Sequence, residues 1–143
     1  MAQKVVNSVV DTGSVLVNLQ DINGSKIGEF EINPSDSGIL SRYEKTVDYF
    51  NSVEFPDNLT DDEKLEKMKA LDEGIKEQFD FLLNGEVSGV IFSRCNPLAV
   101  IASGDFFFEH VLEVIGNIIE KETDQRIKKK MKKVGAAVQK YGK

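Results

Sequence analysis

The chain has 143 residues, 41% of them apolar and 29% charged, with a formal net charge of −6. That length fits one compact domain with a short arm at an end, and the composition is that of an ordinary globular protein. It excludes a bilayer-spanning segment, since no apolar run approaches the roughly 18 residues required, and it excludes a disulfide scaffold, since Cys95 is the only cysteine.

Residues 4–10 are Val-rich but interrupted by Asn7 and Ser8, a pattern open to an edge strand or a loose arm and unlike a signal-peptide apolar block. Val15–Ile22, Asn23-Gly24 and Ser25–Ile32 read as a β-hairpin, with Asn-Gly as a two-residue type I′ turn. Ile22 then faces Ser25. Val15/Ile32, Val17/Phe30 and Leu19/Gly28 share an apolar face, while Leu16/Glu31, Asn18/Glu29 and Gln20/Ile27 lie on a mostly wet one. An isolated hairpin is marginal in water, so something must cover the apolar face.

Asn33-Pro34-Ser35-Asp36 ends the second strand and opens a helix of about residues 37–53, striped by Ile39, Tyr43, Val47 and Phe50. Thr60 and Glu63 form a predicted capping box for a second helix over 61–83. Its apolar face is expected to carry Leu65, Met68, Leu71, Ile75, Phe79 and Leu82, and Asn84-Gly85 stops it. A less regular stretch, 85–103, is expected to plug the core. Ser103-Gly104-Asp105 then caps a third major helix over 105–120, apolar around most of its circumference and therefore buried in the domain or in a partner.

Charge divides the chain. Residues 1–120 carry nine Lys/Arg against twenty-two Asp/Glu, a net of −13, whereas residues 121–143 carry nine against two, a net of +7. Ile127, Met131, Val134, Val138 and Tyr141 recur at helical spacing among lysines, so 121–143 reads as a basic amphipathic helical arm or tail.

The residues that carry chemistry elsewhere form no constellation here. Cys95 as a nucleophile needs a base beside it, and the only histidine, His110, falls in an apolar helical stretch fifteen residues on. A thiol near a Pro-containing turn is the favoured reading. One His and one Cys cannot make a structural zinc site, and the acids Asp61, Asp62 and Glu63 are explained by a helix N-terminus without a metal. No Gly-rich phosphate loop is present, so neither metal nor cofactor is expected, and the chain is read as no enzyme. Phe106-Phe107-Phe108 is expected to be core on both sides of its helix, the other reading being that one ring is an exposed partner anchor. Lys128, Lys129, Lys130, Lys132 and Lys133 suit nucleic-acid phosphates, but the acidic body repels polyanions and no stacking residues interleave them. Membrane-surface binding is disfavoured because no Trp or Phe sits on the arm's apolar stripe. Docking of the arm on the chain's own acidic body or in a partner's groove is preferred.

Ile32-Asn33-Pro34-Ser35-Asp36 followed by Leu40-Ser41-Arg42-Tyr43-Glu44 resembles a phrase, Phe-Asn-Pro-x-Asp-Pro and then an Arg and an aromatic, found in small proteins of tailed phages and prophages. Ile75-Lys76-Glu77-Gln78-Phe79-Asp80-Phe81-Leu82, Gly85-Glu86-Val87-Ser88 to Ile91-Phe92, Asn96-Pro97-Leu98 and Phe106-Phe107-Phe108-Glu109 continue the similarity in the same order, over roughly residues 15–120. Ser37 replaces the second Pro, and Leu83-Asn84-Gly85 replaces a Phe-Gly phrase. The chain thus resembles the tail assembly chaperone-like proteins of siphophages infecting Gram-positive bacteria. The resemblance implies a non-catalytic protein of the host cytoplasm that coats the tape measure protein and self-associates.

The expectation is therefore a mainly helical α+β domain over 1–120, with an N-terminal hairpin on a small helical bundle, and a basic arm over 121–143. Partner contacts are expected at Phe106, Phe107 and His110, and at Ile127, Met131, Val134, Lys128, Lys129 and Lys130. A minor tail or connector subunit of the virion is the alternative, and a nucleic-acid-binding regulator a more distant one.

Overall fold

A computed structural model of the chain describes residues 2–53 and 58–141, excluding the side chains of Asp124 and of residues 126–141. In chain order the elements are β1 (Val15–Gln20), β2 (Lys26–Ile32), α1 (Ile39–Ser52), α2 (Asp61–Leu82), α3 (Ser88–Ile91) and α4 (Phe107–Tyr141). This is a mainly helical α+β fold. Residues 2–14 form no strand, and Val5, Val6, Val9 and Val10 are exposed.

The hairpin keeps the expected pairing from Val15↔Ile32 to Leu19↔Gly28. Its turn differs. Asp21 N donates to Ser25 O at 2.9 Å and accepts at its own carbonyl from Gly24 N at 3.0 Å, with Gly24 at φ +84°. These bonds describe a three-residue loop ending in a left-handed glycine, and not the two-residue type I′ turn. The Asp21 carboxylate favours this loop by accepting from Asn23 N and Ser25 N. The longer loop pairs Gln20 with Lys26, and a bulge between Leu19 and Gln20 on one side and Lys26 and Gly28 on the other absorbs Ile27. Ile27 thus does not pair with Gln20. The bulge restores the register that keeps Leu19, Phe30 and Ile32 buried, so the apolar face overrides the turn. Gly28 permits a close approach: a side chain there would overlap the backbone carbonyl of Ile91, which lies against the strand.

α1 starts at Ile39, two residues later than expected, because Asn33 and Asp36 each close a turn on the backbone first. Asn33 Oδ1 accepts from Ser35 N, and Asp36 Oδ1 from Gly38 N. Arg42 pairs with Asp36 and donates from Nε to Leu82 O at 3.1 Å, so one guanidinium joins the start of α1 to the end of α2. A cation belongs at a helix C-terminus, where carbonyls point outward. Thr46 is the fully buried position of α1, its hydroxyl donating back to Arg42 O at 2.8 Å.

Glu63 N donates to Thr60 Oγ1 at 3.2 Å, the forward half of the capping box. α2 buries Leu71, Ile75, Phe79 and Leu82, but Leu65 and Met68 are exposed by 57% and 38%. They lie outside the core, since the first ten residues of the helix are all exposed and border other segments only at Lys67–Ala70, beside the end of α1 and residues 96–99. The helix stops in a Schellman arrangement, Gly85 N to Asp80 O and Asn84 N to Phe81 O, with Asn84 at φ 54°. The Asp80 carboxylate then accepts from Val87 N, Ser88 N and Ser88 Oγ, seating α3. The irregular stretch does plug the core, through Ile91, Phe92 and Pro97.

α4 begins at Phe107, later than the expected Ser103-Gly104-Asp105 cap. Its first amides are satisfied by carbonyls: Phe107 N donates to Ala99 O and Phe108 N to Pro97 O. Glu109 Oε1 accepts from Phe106 N. The separate helix and arm are one continuous helix of 35 residues, about 52 Å long at 1.5 Å per residue.

Phe79 is fully buried at the centre of the core and Leu65 is not. Phe79→Ala is expected to cost about 3–5 kcal/mol of unfolding free energy in urea titrations, and Leu65→Ala less than about 0.5 kcal/mol. Arg42, together with the Gly38 amide, holds the Asp36 carboxyl below its ordinary range. Asp36 therefore adds stability above the ordinary carboxylate range, and this is lost as pH falls through its lowered pKa. Urea midpoints followed from about pH 6 to about pH 2 should fall more steeply for the unaltered protein than for Asp36→Asn.

Candidate functional site

The residues with intrinsic reactivity are kept apart and quiet. Cys95 is partly buried against the core, and burial pushes its thiol up, away from the thiolate form. His110 is exposed on α4, and no hydrogen bond joins it to Cys95 among the described residues. Asp61, Asp62 and Glu63 are exposed in the first turn of α2, where their charge complements the helix N-terminus. Among the described residues no group of three or more His, Cys, Asp or Glu could hold a metal ion. No helix there is long and apolar enough to cross a membrane. A thiol-reactive dye at about pH 8 should label Cys95 several-fold more slowly than a free peptide thiol, and labelling at the free rate would contradict the packing.

The three phenylalanines divide. Phe107 and Phe108 are buried, at 3% and 8% exposure, while Phe106 is only partly covered. Phe107 packs edge-on to Phe92 at 5.9 Å and thus offers no surface to a partner in this fold. Phe106 stacks on Phe108 at 5.8 Å with its planes 16° apart, and it stands at the rim of a depression. Of the contacts expected on the third helix, Phe106 and His110 are therefore reachable and Phe107 is not. His110 does not line the depression at whose rim Phe106 stands.

A trough lies between α1 and α4. It consists of two depressions, of about 400 and about 430 Å³, both lined by Tyr43 and Glu113. Leu40, Tyr43, Val47 and Phe50 line it from α1, and Leu112, Gly116 and Ile119 from α4. Its acids are Glu109, Glu113 and Glu120, and no Lys or Arg lines either half among the described residues. Burial raises the Tyr43 phenol, and the Glu113 and Glu120 carboxylates raise it further. The Tyr43 phenol meets Gly116 end-on, so closely that a side chain there would overlap its hydroxyl oxygen, and Tyr49 meets Gly74 of α2 in the same way. Two glycines inside helices are unfavourable by propensity. Here they let α1 lie tightly between α2 and α4.

Sequence reading placed Tyr43 on the inner stripe of α1 but missed the trough. The available signal was Gly116 in the middle of an apolar helical run, where a glycine usually has a packing reason. Arg42 and Asp80, which tie the helix ends together, gave no signal beyond their position beside an apolar stripe.

α4 carries the arm away from this body. The last buried core residue among those described is Ile119, and the helix continues to Tyr141. The side chains of Ile127, Met131, Val134, Lys128, Lys129 and Lys130 lie outside the described residues. Only their place on the α4 backbone is set. Comparison with protein-family models, curated proteins and solved structures finds no match to the chain.

Proposed function

We propose that this chain is a non-catalytic, protein-binding factor of phage tail morphogenesis. It is a tail assembly chaperone-like protein whose α4 arm contacts the tape measure protein or another tail protein in the bacterial cytoplasm. The observation that supports a binding role is α4 itself. It runs unbroken from the core to Tyr141, about 33 Å past Ile119. The chain's charge changes from −13 over residues 1–120 to +7 over residues 121–143. Such a helix, with Ile127, Met131 and Val134 at i, i+4 and i+7 among lysines, has the spacing of a helix that docks in a groove. The tail-assembly reading rests on the phrases around Asn33–Asp36, Ile75–Leu82 and Asn96–Leu98 that resemble the siphophage proteins.

The test is recovery of partners from phage-producing cells by the tagged full chain and by a chain ending at Glu120. The full chain is expected to retain the tape measure protein, and the shorter chain to lose it. Ile127→Ala with Met131→Ala should reduce recovery, as should alanine at Lys128, Lys129 and Lys130. Recovery of tube or connector proteins alone would make the chain a structural subunit. Recovery of nucleic acid alone, stripped by salt, would make it a regulator.

A further inference from the structure

The depression at the Phe106 end of the trough combines aromatic walls with a carboxylate edge. Tyr43 and Phe50 line it from one face of α1, and Phe106 and Phe108 from the start of α4. Phe108 meets Phe50 at 4.8 Å and closes the floor. Phe106, only partly covered, stacks on Phe108 with its planes 16° apart, which carries ring surface from the core out to the rim. Glu109 and Glu113 follow one turn apart on α4, and both are exposed. Glu109 Oε1 accepts from Phe106 N at 3.0 Å, which fixes that carboxylate beside the ring. Like charges at i and i+4 destabilise a helix. Among the described residues no Lys or Arg lines the depression or pairs with either acid.

We propose that this depression binds an arginine side chain of a partner protein, with the guanidinium against the aromatic wall and its N–H groups donating to Glu113 and Glu109. Aromatic faces attract a cation, and exposed carboxylates at the edge suit one that carries donors around its rim. A guanidinium has both properties: a weakly hydrated plane that stacks on rings, and five N–H groups in a fixed fork. An ammonium is a compact, strongly hydrated charge and matches the rings less well. Val47 and Leu112 also line the depression and offer apolar contact to the residues on either side of the arginine. The site lies on the body of the domain, apart from the α4 arm, and does not depend on which protein the arm meets.

Amide chemical shifts of the isotope-labelled full chain, titrated at constant ionic strength, test this with N-acetyl-arginine amide as the probe. Saturable shifts are expected at Tyr43, Phe106, Glu109 and Glu113, with a dissociation constant on the order of 1–10 mM for a ligand of that size. N-acetyl-citrulline amide, of the same shape without the charge, should bind at least about tenfold more weakly, and the lysine analogue about threefold more weakly. Glu113→Gln, and Phe106→Leu, which keeps bulk and removes the ring, should each weaken arginine binding at least about threefold. The same spectra show whether each variant is folded. N-acetyl-Leu-Arg-Leu amide should bind at least about fivefold tighter than the single residue, because its leucines reach Val47 and Leu112. No saturable shift at these residues up to about 50 mM probe would overturn the proposal. So would citrulline or lysine binding as tightly as arginine, or folded variants with unchanged affinity. A tripeptide no tighter than the single residue would overturn a protein as the source of the arginine.

Discussion

A continuous line of aromatic rings joins the helices of this protein. Tyr49 meets Phe50 at 5.5 Å, Phe50 meets Phe79 at 6.1 Å and Phe108 at 4.8 Å, Phe79 meets Phe92 at 5.2 Å, and Phe92 meets Phe107 at 5.9 Å. Each link crosses from one element to another except the first. The rings bring α1, α2, the segment after α3 and the start of α4 to one point, with Phe79 sealed at the centre. Tilted and edge-on contacts of this kind add to area burial and restrict orientation. The position of α4, and with it both the trough and the direction of the arm, follows from where Phe107 and Phe108 are held.

Much of this was legible in the residues, for reasons that differ by element. The hairpin register was readable because a strand's period of two permits only one pairing that buries Leu19, Phe30 and Ile32 together. Its turn was not, since Asn-Gly favours a tight turn while the competing hydrogen bonds of the Asp21 carboxylate are visible only in three dimensions. Periodicity located the inner face of α2 but not where burial begins. Leu65 and Met68 share the face of Leu71 and yet stay exposed, Met68 only bordering Leu98 and Ala99. The division of α4 into a helix and a separate arm came from composition, which reverses at residue 121. Charge reversal does not interrupt backbone hydrogen bonds, and the residues from Glu120 to Lys133 include neither Gly nor Pro.

The functional surface was less legible than the fold. A trough between two helices depends on how near they come, and that distance is set by Tyr43 against Gly116 and by Tyr49 against Gly74. Neither pair is close in sequence. The run Phe106–Phe108 carried too coarse a signal: the helix starts only at Phe107, so Phe107 and Phe108 enter the core while Phe106, bridged to Val100 just before it, reaches the rim. Glu109, Glu113 and Glu120 stand at the edge of this otherwise apolar groove and give it a negative rim.

The bare first half of α2 has a different consequence, for the time dependence of the molecule. From Asp61 to Ala70 every residue is exposed, and the helix is held mainly by its own hydrogen bonds and the Thr60 cap, with only Lys67–Ala70 bordering other segments. Isolated helical turns of that length are marginal in water, so this segment opens at a small fraction of the free energy needed to unfold the core. Its amides are therefore expected to exchange by local fraying, and those between Ile75 and Leu82, whose buried side chains belong to the core, to be protected far longer. One helix therefore spans two cooperative units. It can shorten or lengthen by turns at its N-terminal end while its C-terminal half stays fixed in the core, giving the protein an adjustable edge on a rigid body.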